Sequence, residues 1–212
     1  MRVCLASTSP ARLMLLRQAG IEPLTLSPST DEEAIAAAAA AERGSELPPE
    51  ELVLLLARVK AADVAHRLAA ESEFDGLVIG GDSMFALGGR VYGKPHTAEE
   101  ATRRWIEMRG ATGVLHSGHS VYRVSPDAAP QEATAVAEAS VTFADDVTDV
   151  EISAYVASGE PLHVAGAFTV DSLGGAFITR VEGDPSTVVG MSLSTIRRLA
   201  AELGVTWTDL WS

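Results

Sequence analysis

The order in which helical and extended patterns follow one another constrains the fold of this chain more than any other feature. Helices are predicted at residues 11–19, 50 to about 70, 98–108, 149–157 and 192–203, and an alanine run that ends at Arg43 is also helix-prone. Short apolar segments typical of buried strands lie between several of them. In the middle of the sequence, residues 114–124 and 133–143 are two longer strand patterns in direct succession. Strands separated by helices favour parallel pairing and successive strands favour antiparallel pairing. The sequence therefore predicts an α/β fold with a mixed sheet.

The length and the apolar runs limit the class of protein. A chain of 212 residues fits one domain, which we place at 1–212. The longest apolar run, residues 34–41, is far shorter than the ~20 residues of a membrane-spanning helix, so we expect no membrane partner. The N-terminus turns polar too early for a secretory signal. Cys4 is the single cysteine and has no partner for an internal disulfide, which predicts a cytoplasmic location.

The charge balance argues against a nucleic-acid partner. The chain has 16 basic and 29 acidic residues, a net charge of −13, and neither Lys nor Arg occurs between Arg123 and Arg180. A nucleic-acid surface needs a basic stripe that neutralises phosphates. If the partner is a smaller anion, its site must collect the few cations of the chain or use a metal ion.

The two lysines, Lys60 and Lys94, stand out because the other basic residues are all arginines. Lysine is a compact point charge that approaches a single phosphate oxygen, whereas arginine presents a planar fork. Two interpretations are open at this point. The lysines either remain on a solvated face by chance, or they occupy places where a guanidinium does not fit.

The first strand, turn and helix form a candidate anion site. Ser9 is suited to cap the helix and Pro10 to its first position, which places Arg12 in the first turn. A cation there opposes the helix dipole by about 0.3–1 kcal/mol. An anion held by backbone N–H groups, by the hydroxyls of Ser7, Thr8 and Ser9 and by Arg12 would remove that conflict. The alternative is a capped helix with a solvent-facing arginine.

A second candidate site follows the apolar segment at residues 76–81. Two glycines, which would allow a backbone or a phosphate to approach closely, are followed by Asp82 and Ser83. We expect this to be the end of a strand, where α/β proteins place ligands. A hairpin turning at Gly88 and Gly89 would bring Lys94 back towards Asp82. An aspartate that only forms a turn is the alternative.

These segments together resemble one family, the Maf-like nucleoside triphosphate pyrophosphatases, nearly from end to end. The matching segments are LASTSPAR at 5–12, DE at 31–32, KA at 60–61, GDS at 81–83, GKP at 93–95, LHSG at 115–118, AGAF at 165–168 and EGDPSTVVG at 182–190. Each is a weak pattern alone, but eight in order make a specific one.

The resemblance implies a fold like that of the inosine triphosphate pyrophosphatases. That fold is a mixed twisted sheet flanked by helices, with two lobes, a central cleft and usually a homodimeric assembly. It also implies hydrolysis of a nucleoside triphosphate between its α and β phosphates, to the monophosphate and pyrophosphate, with Mg²⁺ or Mn²⁺ as cofactor.

The resemblance also implies roles for individual residues. Asp82 matches the family's proton acceptor, although a role in orienting a metal-bound water stays open. The other site residues expected on this basis are Arg12, Lys60 and Lys94 in catalysis, Ser7, Ser9, Ser83 and Asp171 in substrate binding, and Glu32 with Asp82 as metal ligands. Both lysines of the chain fall within this set.

Three positions depart from the family pattern. Ala11 stands where a second basic residue is common, Ser83 where threonine is common, and Asp171 where many members have glutamine. The base preference therefore stays open between pyrimidine and modified or other nucleotides. A catalytically weak nucleotide-binding regulator of cell division and septum formation is the alternative function, and a nucleotidyltransferase is a third.

Overall fold

The structure is a computed structural model that describes residues 1–71 and 73–212. The helices are α1 (Pro10–Gln18), α2 (Glu32–Arg43), α3 (Pro49–Ala70), α4 (Ala98–Met108), α5 (Asp149–Ala157), α6 (Pro185–Val189) and α7 (Leu193–Glu202). The strands are β1 (Arg2–Leu5), β2 (Leu24–Thr25), β3 (Gly76–Leu87), β4 (Arg90–Tyr92), β5 (Thr112–Ser125), β6 (Ala128–Phe143) and β7 (Ile178–Gly183). Short 3₁₀ turns lie at Glu160–His163, Ala165–Ala167, Leu173–Phe177 and Trp207–Leu210.

The strands form one mixed sheet, as predicted. Its order is β2-β1-β3-β5-β6-β7, and β4 pairs with β3 beside this path. The pairs of β1 with β2 and with β3 are parallel. The pairs β3–β4 and β6–β7 are antiparallel. Parallel pairs thus join strands that are separated by helices in the sequence, and the hairpin at Gly88 and Gly89 supplies an antiparallel one.

The sequence predicted α4 and α5 residue for residue, but it placed the end of β3 wrongly. We expected the strand to end in the glycine pair, so that Asp82 followed it. The strand instead continues through Asp82 to Leu87, where the hairpin turns. Gly80 and Gly81 therefore lie inside a strand, and Asp82 projects from its middle rather than from its end.

The chain divides into two compact units. Unit 1 comprises Met1–Asp82, Ser117–Ala137 and Gly190–Ser212. Unit 2 comprises Ser83–His116 and Glu138–Val189. The strands β3, β5 and β6 each contribute one part to either unit. The central cleft expected from the resemblance stays a prediction.

The core of unit 1 forms where α3 packs on the parallel strands. Cys4 and Val78 pack against Val64, Ala65 and other buried residues of the helix side. Burial raises the pKa of the Cys4 thiol to about 11, against the smaller opposing effect of Arg67, so the thiol stays protonated near neutral pH. Cys4 is therefore a core residue.

The core of unit 2 is aromatic. Phe168 meets Phe85 and Phe143 with ring centroids 5.0 Å apart in each pair, and both contacts are edge-to-face. Trp105 of α4 adds edge contacts to Phe143 at 5.5 Å and to Tyr155 at 5.2 Å. Such ring pairs contribute about 0.5–1.5 kcal/mol each beyond the area they bury, and they fix α4 and α5 against the strands.

None of the helices formed by residues 1–71 and 73–212 has both the length and the apolar character needed to cross a membrane.

Candidate active site

The N-terminus of α1 has the geometry that its sequence predicts. Ser9 is the N-cap, its hydroxyl accepts a hydrogen bond from the Arg12 amide at 3.4 Å, and Pro10 opens the helix. The first turn contains no acidic residue that would offset the positive end of the dipole. The hydroxyl of Ser7 accepts a hydrogen bond from the Ser9 amide at 3.1 Å, which folds the turn before the helix.

Arg12 does not face solvent, because only 9% of its surface is exposed. Its Nε donates to the carbonyl oxygen of Gly190 at 2.9 Å and its Nη1 to the Ser7 hydroxyl at 3.3 Å. Burial lowers the pKa of Arg12, while the carboxylates of Asp82 and Glu32 act in the opposite direction. Burying a cation is unfavourable unless other groups compensate it, so this arginine is built into a polar site.

Lys60 and Asp82 form the centre of the site. The Nζ of Lys60 lies 2.8 Å from Oδ1 of Asp82 and 2.8 Å from Oε2 of Glu32. The side chains of Lys60 and Asp82 are 8% and 13% exposed, whereas that of Glu32 is 48% exposed. One buried ammonium thus holds two carboxylates, one in the interior and one at the surface.

Local sequence explains how these three side chains meet. Lys60 lies in the middle of α3, and Glu32 is the first residue of α2, whose N-cap Asp31 accepts from the Ala34 amide at 3.0 Å. Gly80 of β3 lies directly under α3, because a Cβ there would be 2.6 Å from the Ala57 carbonyl oxygen and 2.7 Å from the Ala61 Cβ. We expected this glycine to admit a backbone or a phosphate, and the neighbour it admits is the α3 backbone beside Lys60.

A buried polar network lies next to Arg12 and Asp82. We predicted no role for this network from the sequence. The hydroxyl of Ser117 lies 3.4 Å from the carbonyl oxygens of both Asp82 and Gly190. His119 is fully buried and its Nε2 accepts from the Ser192 amide at 2.9 Å. His119 thus has a structural position in this network. No local pattern reveals the network, because Gly190 lies 178 residues from Arg12.

The remaining predicted residues, Ser83, Lys94 and Asp171, belong to unit 2. Ser83 follows Asp82 in β3 and is half-buried, while Lys94 and Asp171 are exposed. The described part of unit 1 therefore brings together Ser7, Ser9, Arg12, Glu32, Lys60 and Asp82. Convergence of Lys94 and Asp171 with that group stays a prediction.

One carboxylate organises the loop that carries Asp171. Oε1 of Glu160 accepts hydrogen bonds from the hydroxyls of Tyr155 and Thr169 and from the Gly174 amide, and Oε2 accepts from the Ser172 hydroxyl and the Leu173 amide. Burial opposes ionisation of Glu160, but these bonds outweigh it and lower its pKa to about 2. The backbone on both sides of Asp171 is thereby fixed to one side chain.

The arrangement in unit 1 is suited to anionic oxygen chemistry. Arg12 and Lys60 are cations that phosphate oxygens would compensate, and Asp82 is a carboxylate at hydrogen-bond distance from one of them. Among residues 1–71 and 73–212, no cluster of three or more metal-binding side chains occurs. The pair Glu32 and Asp82 nevertheless fits Mg²⁺ or Mn²⁺, since Mg²⁺ takes one or two protein carboxylates and completes its shell with phosphate and water.

Comparisons with known proteins place this geometry in context. The model of a family described as Maf-like protein matches residues 2–203. A protein of Leifsonia xyli subsp. xyli is 59% identical over 214 residues, covering 100% of this chain and 97% of the relative. One from Salinispora tropica is 50% identical over 212 residues, covering 100% of this chain and 88% of the relative. Both relatives are named nucleoside triphosphate pyrophosphatase.

Solved structures also match. A nucleoside-triphosphatase, or dITP/XTP pyrophosphatase, from Mycobacterium abscessus is 13% identical with a TM-score of 0.36, over 96% of this chain and 98% of that one.

Proposed function

This chain belongs to the family of Maf-like proteins, and from that membership we propose that it is a nucleoside triphosphate pyrophosphatase. It hydrolyses the bond between the α and β phosphates and releases the monophosphate and pyrophosphate. The observation that carries this proposal is the Lys60 ammonium held at 2.8 Å by both Asp82 and Glu32. A buried lysine between two carboxylates, with a buried arginine whose electrostatic partners are those same carboxylates, is a site prepared for a charged ligand.

The reaction needs a nucleophile and relief of charge on the leaving group. When water attacks the α-phosphorus, one P–O bond forms, and the bond to the bridging oxygen breaks with its electron pair leaving on pyrophosphate. We assign Asp82 the role of accepting the proton that the attacking water loses. Arg12 and Lys60 would offset the negative charge on the phosphates, and we assign Lys94 the same task from the resemblance alone.

A divalent cation is part of the proposal. Glu32 and Asp82 are the residues that would hold Mg²⁺ or Mn²⁺, and the bound ion would neutralise charge on the phosphate oxygens. The 48% exposure of the Glu32 side chain allows it to exchange the Lys60 ammonium for another cation without disturbing the core. Ser7, Ser9 and Ser83 are proposed as hydrogen-bonding partners of the substrate.

The choice of base is proposed to involve Asp171. It is exposed on a loop that Glu160 fixes, which suits a side chain that reads a ligand. Replacing Asp171 with glutamine is expected to change the ranking of nucleotides while leaving pyrophosphate as the product. We further propose a homodimer and a cytoplasmic location, which sedimentation analysis and cell fractionation would test.

A product assay tests the proposal. The purified protein is incubated with a panel of natural and modified nucleoside triphosphates, with Mg²⁺, Mn²⁺ or EDTA, and pyrophosphate and orthophosphate are measured separately. We expect pyrophosphate and monophosphate in equal amounts for at least one nucleotide. Orthophosphate as the first product, or product only after an acceptor molecule is added, would contradict it. Tight nucleotide binding without turnover would support the regulator instead.

The matched variants are Asp82→Asn and Asp63→Asn. Asp63 is also in unit 1, on α3, and pairs with Arg67 at 3.1 Å rather than with the site. Asp82→Asn should lower turnover by about 10²–10⁴-fold because it removes the proton acceptor. Asp63→Asn should retain wild-type turnover. Equal activity of the two variants would mean that the site is misplaced.

A further inference from the structure

The segment that carries Lys94 is held by its backbone. The carbonyl oxygen of Gly93 accepts hydrogen bonds from Nη1 of Arg104 and, at 3.4 Å, from the Gly166 amide. On the other side, the His96 amide donates to the Leu162 carbonyl oxygen at 3.2 Å. The residues flanking Lys94 on each side are therefore tied to other parts of unit 2.

Backbone strain lies in the same place. His96 and Ala167 both have a φ of 62° and are the two non-glycine residues with positive φ in the described part of the chain. The Ala167 carbonyl oxygen accepts a hydrogen bond from Nε1 of Trp105 at 2.7 Å. Such conformations cost about 1–3 kcal/mol each and persist only where surrounding contacts determine them. Trp105 of α4 supplies one of those contacts at Ala167, and its neighbour Arg104 binds Gly93, three residues before His96.

Arg104 differs sharply from its neighbour Arg103, although both bind Glu100. Arg104 donates from Nε to Glu100 at 2.7 Å, lies over the Tyr92 ring at 5.5 Å and has a side chain only 12% exposed. Arg103 also binds Glu100 at 2.7 Å, but its side chain is 51% exposed and its second partner is Glu107. Of the two, Arg104 is the one that binds the Gly93 carbonyl.

The Lys94 side chain lacks such support. Among residues 1–71 and 73–212, no ion pair holds its ammonium. Because no side chain of the described residues holds the ammonium at the end of its four-carbon stem, the backbone is the part of Lys94 that the protein fixes. Displacement of a binding group by about 1 Å is enough to cost roughly 100-fold in rate.

We propose that Arg104 is a positioning residue for Lys94: its guanidinium fixes the Gly93 carbonyl and thereby the backbone from which Lys94 reaches the substrate phosphates. This inference rests on the proposed function, which gives Lys94 a phosphate to bind. It assigns Arg104 no contact with the substrate.

A double-mutant cycle tests the inference. The variants are Arg104→Ala, Lys94→Ala and the two combined, with Arg103→Ala as the matched control that loses the same ion-pair partner, Glu100. Arg104→Ala should raise KM and lower kcat/KM by roughly tenfold, and Arg103→Ala by less than about twofold. In the Lys94→Ala background, Arg104→Ala should have no further effect. Arg104→Lys should recover little, because a point charge cannot reproduce the fork that joins Gly93 to Glu100.

Two results would overturn the inference. One is an Arg104→Ala effect of full size in the Lys94→Ala background, and the other is an equal loss in Arg103→Ala. The same cycle is measured by calorimetric binding of an α,β-methylene nucleoside triphosphate, which does not depend on turnover. An inactive wild-type protein would therefore contradict the proposed function, while additive binding losses would contradict the role of Arg104.

Discussion

The two lysines of this protein are held in opposite ways. In unit 1, the ammonium of Lys60 is buried and bound by two carboxylates at 2.8 Å. In unit 2, Lys94 is exposed, and the backbone is held on either side of it: the Gly93 carbonyl accepts from Arg104, and the His96 amide donates to Leu162. One cation is positioned through its charged group and the other through its main chain.

The difference has energetic consequences. Removal of a buried cation leaves its carboxylate partners without compensation in a poorly solvated place, which costs both stability and function. Removal of an exposed cation costs little stability, so its loss affects ligand binding and activity rather than the free energy of unfolding. The two units are thus expected to respond differently to the same substitution.

The largest expected effect comes from Lys60→Met compared with Lys94→Met. Lys60→Met leaves Asp82 without its ion pair and should lower the free energy of unfolding by about 3 kcal/mol, together with a loss of kcat/KM. Lys94→Met should lower kcat/KM while changing the free energy of unfolding by less than about 0.5 kcal/mol. Urea denaturation and pyrophosphate release measure the two quantities. Equal destabilisation by both variants would contradict the difference described between the buried Lys60 and the exposed Lys94.

The next effect concerns the glycine pair of β3. Gly80 has no side chain, so α3, the helix that contains Lys60, can pack closely on this strand. A Cβ at Gly80 would lie 2.6 Å from a backbone oxygen of α3, whereas one at Gly81 would lie 3.4 Å from Nε of Arg12, an ordinary van der Waals distance. Gly80→Ala should therefore lower the free energy of unfolding by about 1–3 kcal/mol and displace Lys60. Gly81→Ala, the control, should cost less than half as much by urea denaturation. A reversed order would mean that α3 is not held as closely as described.

In unit 2, Glu160 offers a test through pH. Its pKa is lowered from 4.5 to about 2, because the hydrogen bonds it accepts outweigh the opposing effect of burial. The ionised carboxylate therefore contributes stability that is present above pH 4.5 and is lost as the pH falls through about 2. After allowance for solvent screening, we expect that contribution to be about 1–2 kcal/mol.

The variant for this test is Glu160→Gln. Its amide nitrogen cannot accept from the Leu173 amide, so the loop around Asp171 loses part of its support. Thermal unfolding should give a lower Tm than wild type at pH 6, with the difference shrinking between pH 4 and pH 2. A Tm difference independent of pH would show that the carboxylate charge does not hold the loop.

How far the sequence predicted this structure depends on the range of the interaction. The Ser9 cap, the position of Arg12 in the first turn and the Gly88-Gly89 hairpin were confirmed, because residues a few positions apart determine them. The mixed sheet was confirmed from the order of the elements. The residues around Lys60 in the sequence could not predict whether its side chain is solvated or buried, because that depends on Asp82, 22 residues away.

The errors have the same origin. The continuation of β3 past Asp82 depends on its pairing with β4, and Gly80 is needed because of the approach of α3, which no pattern within residues 76–83 records. The bonds from Arg12 to Gly190 and from Arg104 to Gly93 end on carbonyl oxygens, which every residue type provides. When a hydrogen-bond acceptor is a backbone atom, the amino-acid sequence does not reveal which residue provides it.

The smallest expected change in stability, from Ser9→Asp, separates a capped helix from an anion site. Aspartate caps a helix as well as serine does, and its charge favours the N-terminal end of α1, where the first turn has no acidic residue. It should therefore raise the free energy of unfolding by about 0.3–1 kcal/mol. If a triphosphate binds beside Ser7, Ser9 and Arg12, the same charge repels it. KM should then be severalfold higher in Ser9→Asp than in Ser9→Asn, a neutral cap with the shape of aspartate. The free energy of unfolding from urea denaturation and KM from pyrophosphate release would then both rise, so the variant would be more stable and would bind its substrate less tightly. A stabilised variant with unchanged KM would mean that this helix end only starts a helix and that the bonds of Arg12 to Ser7 and Gly190 are structural.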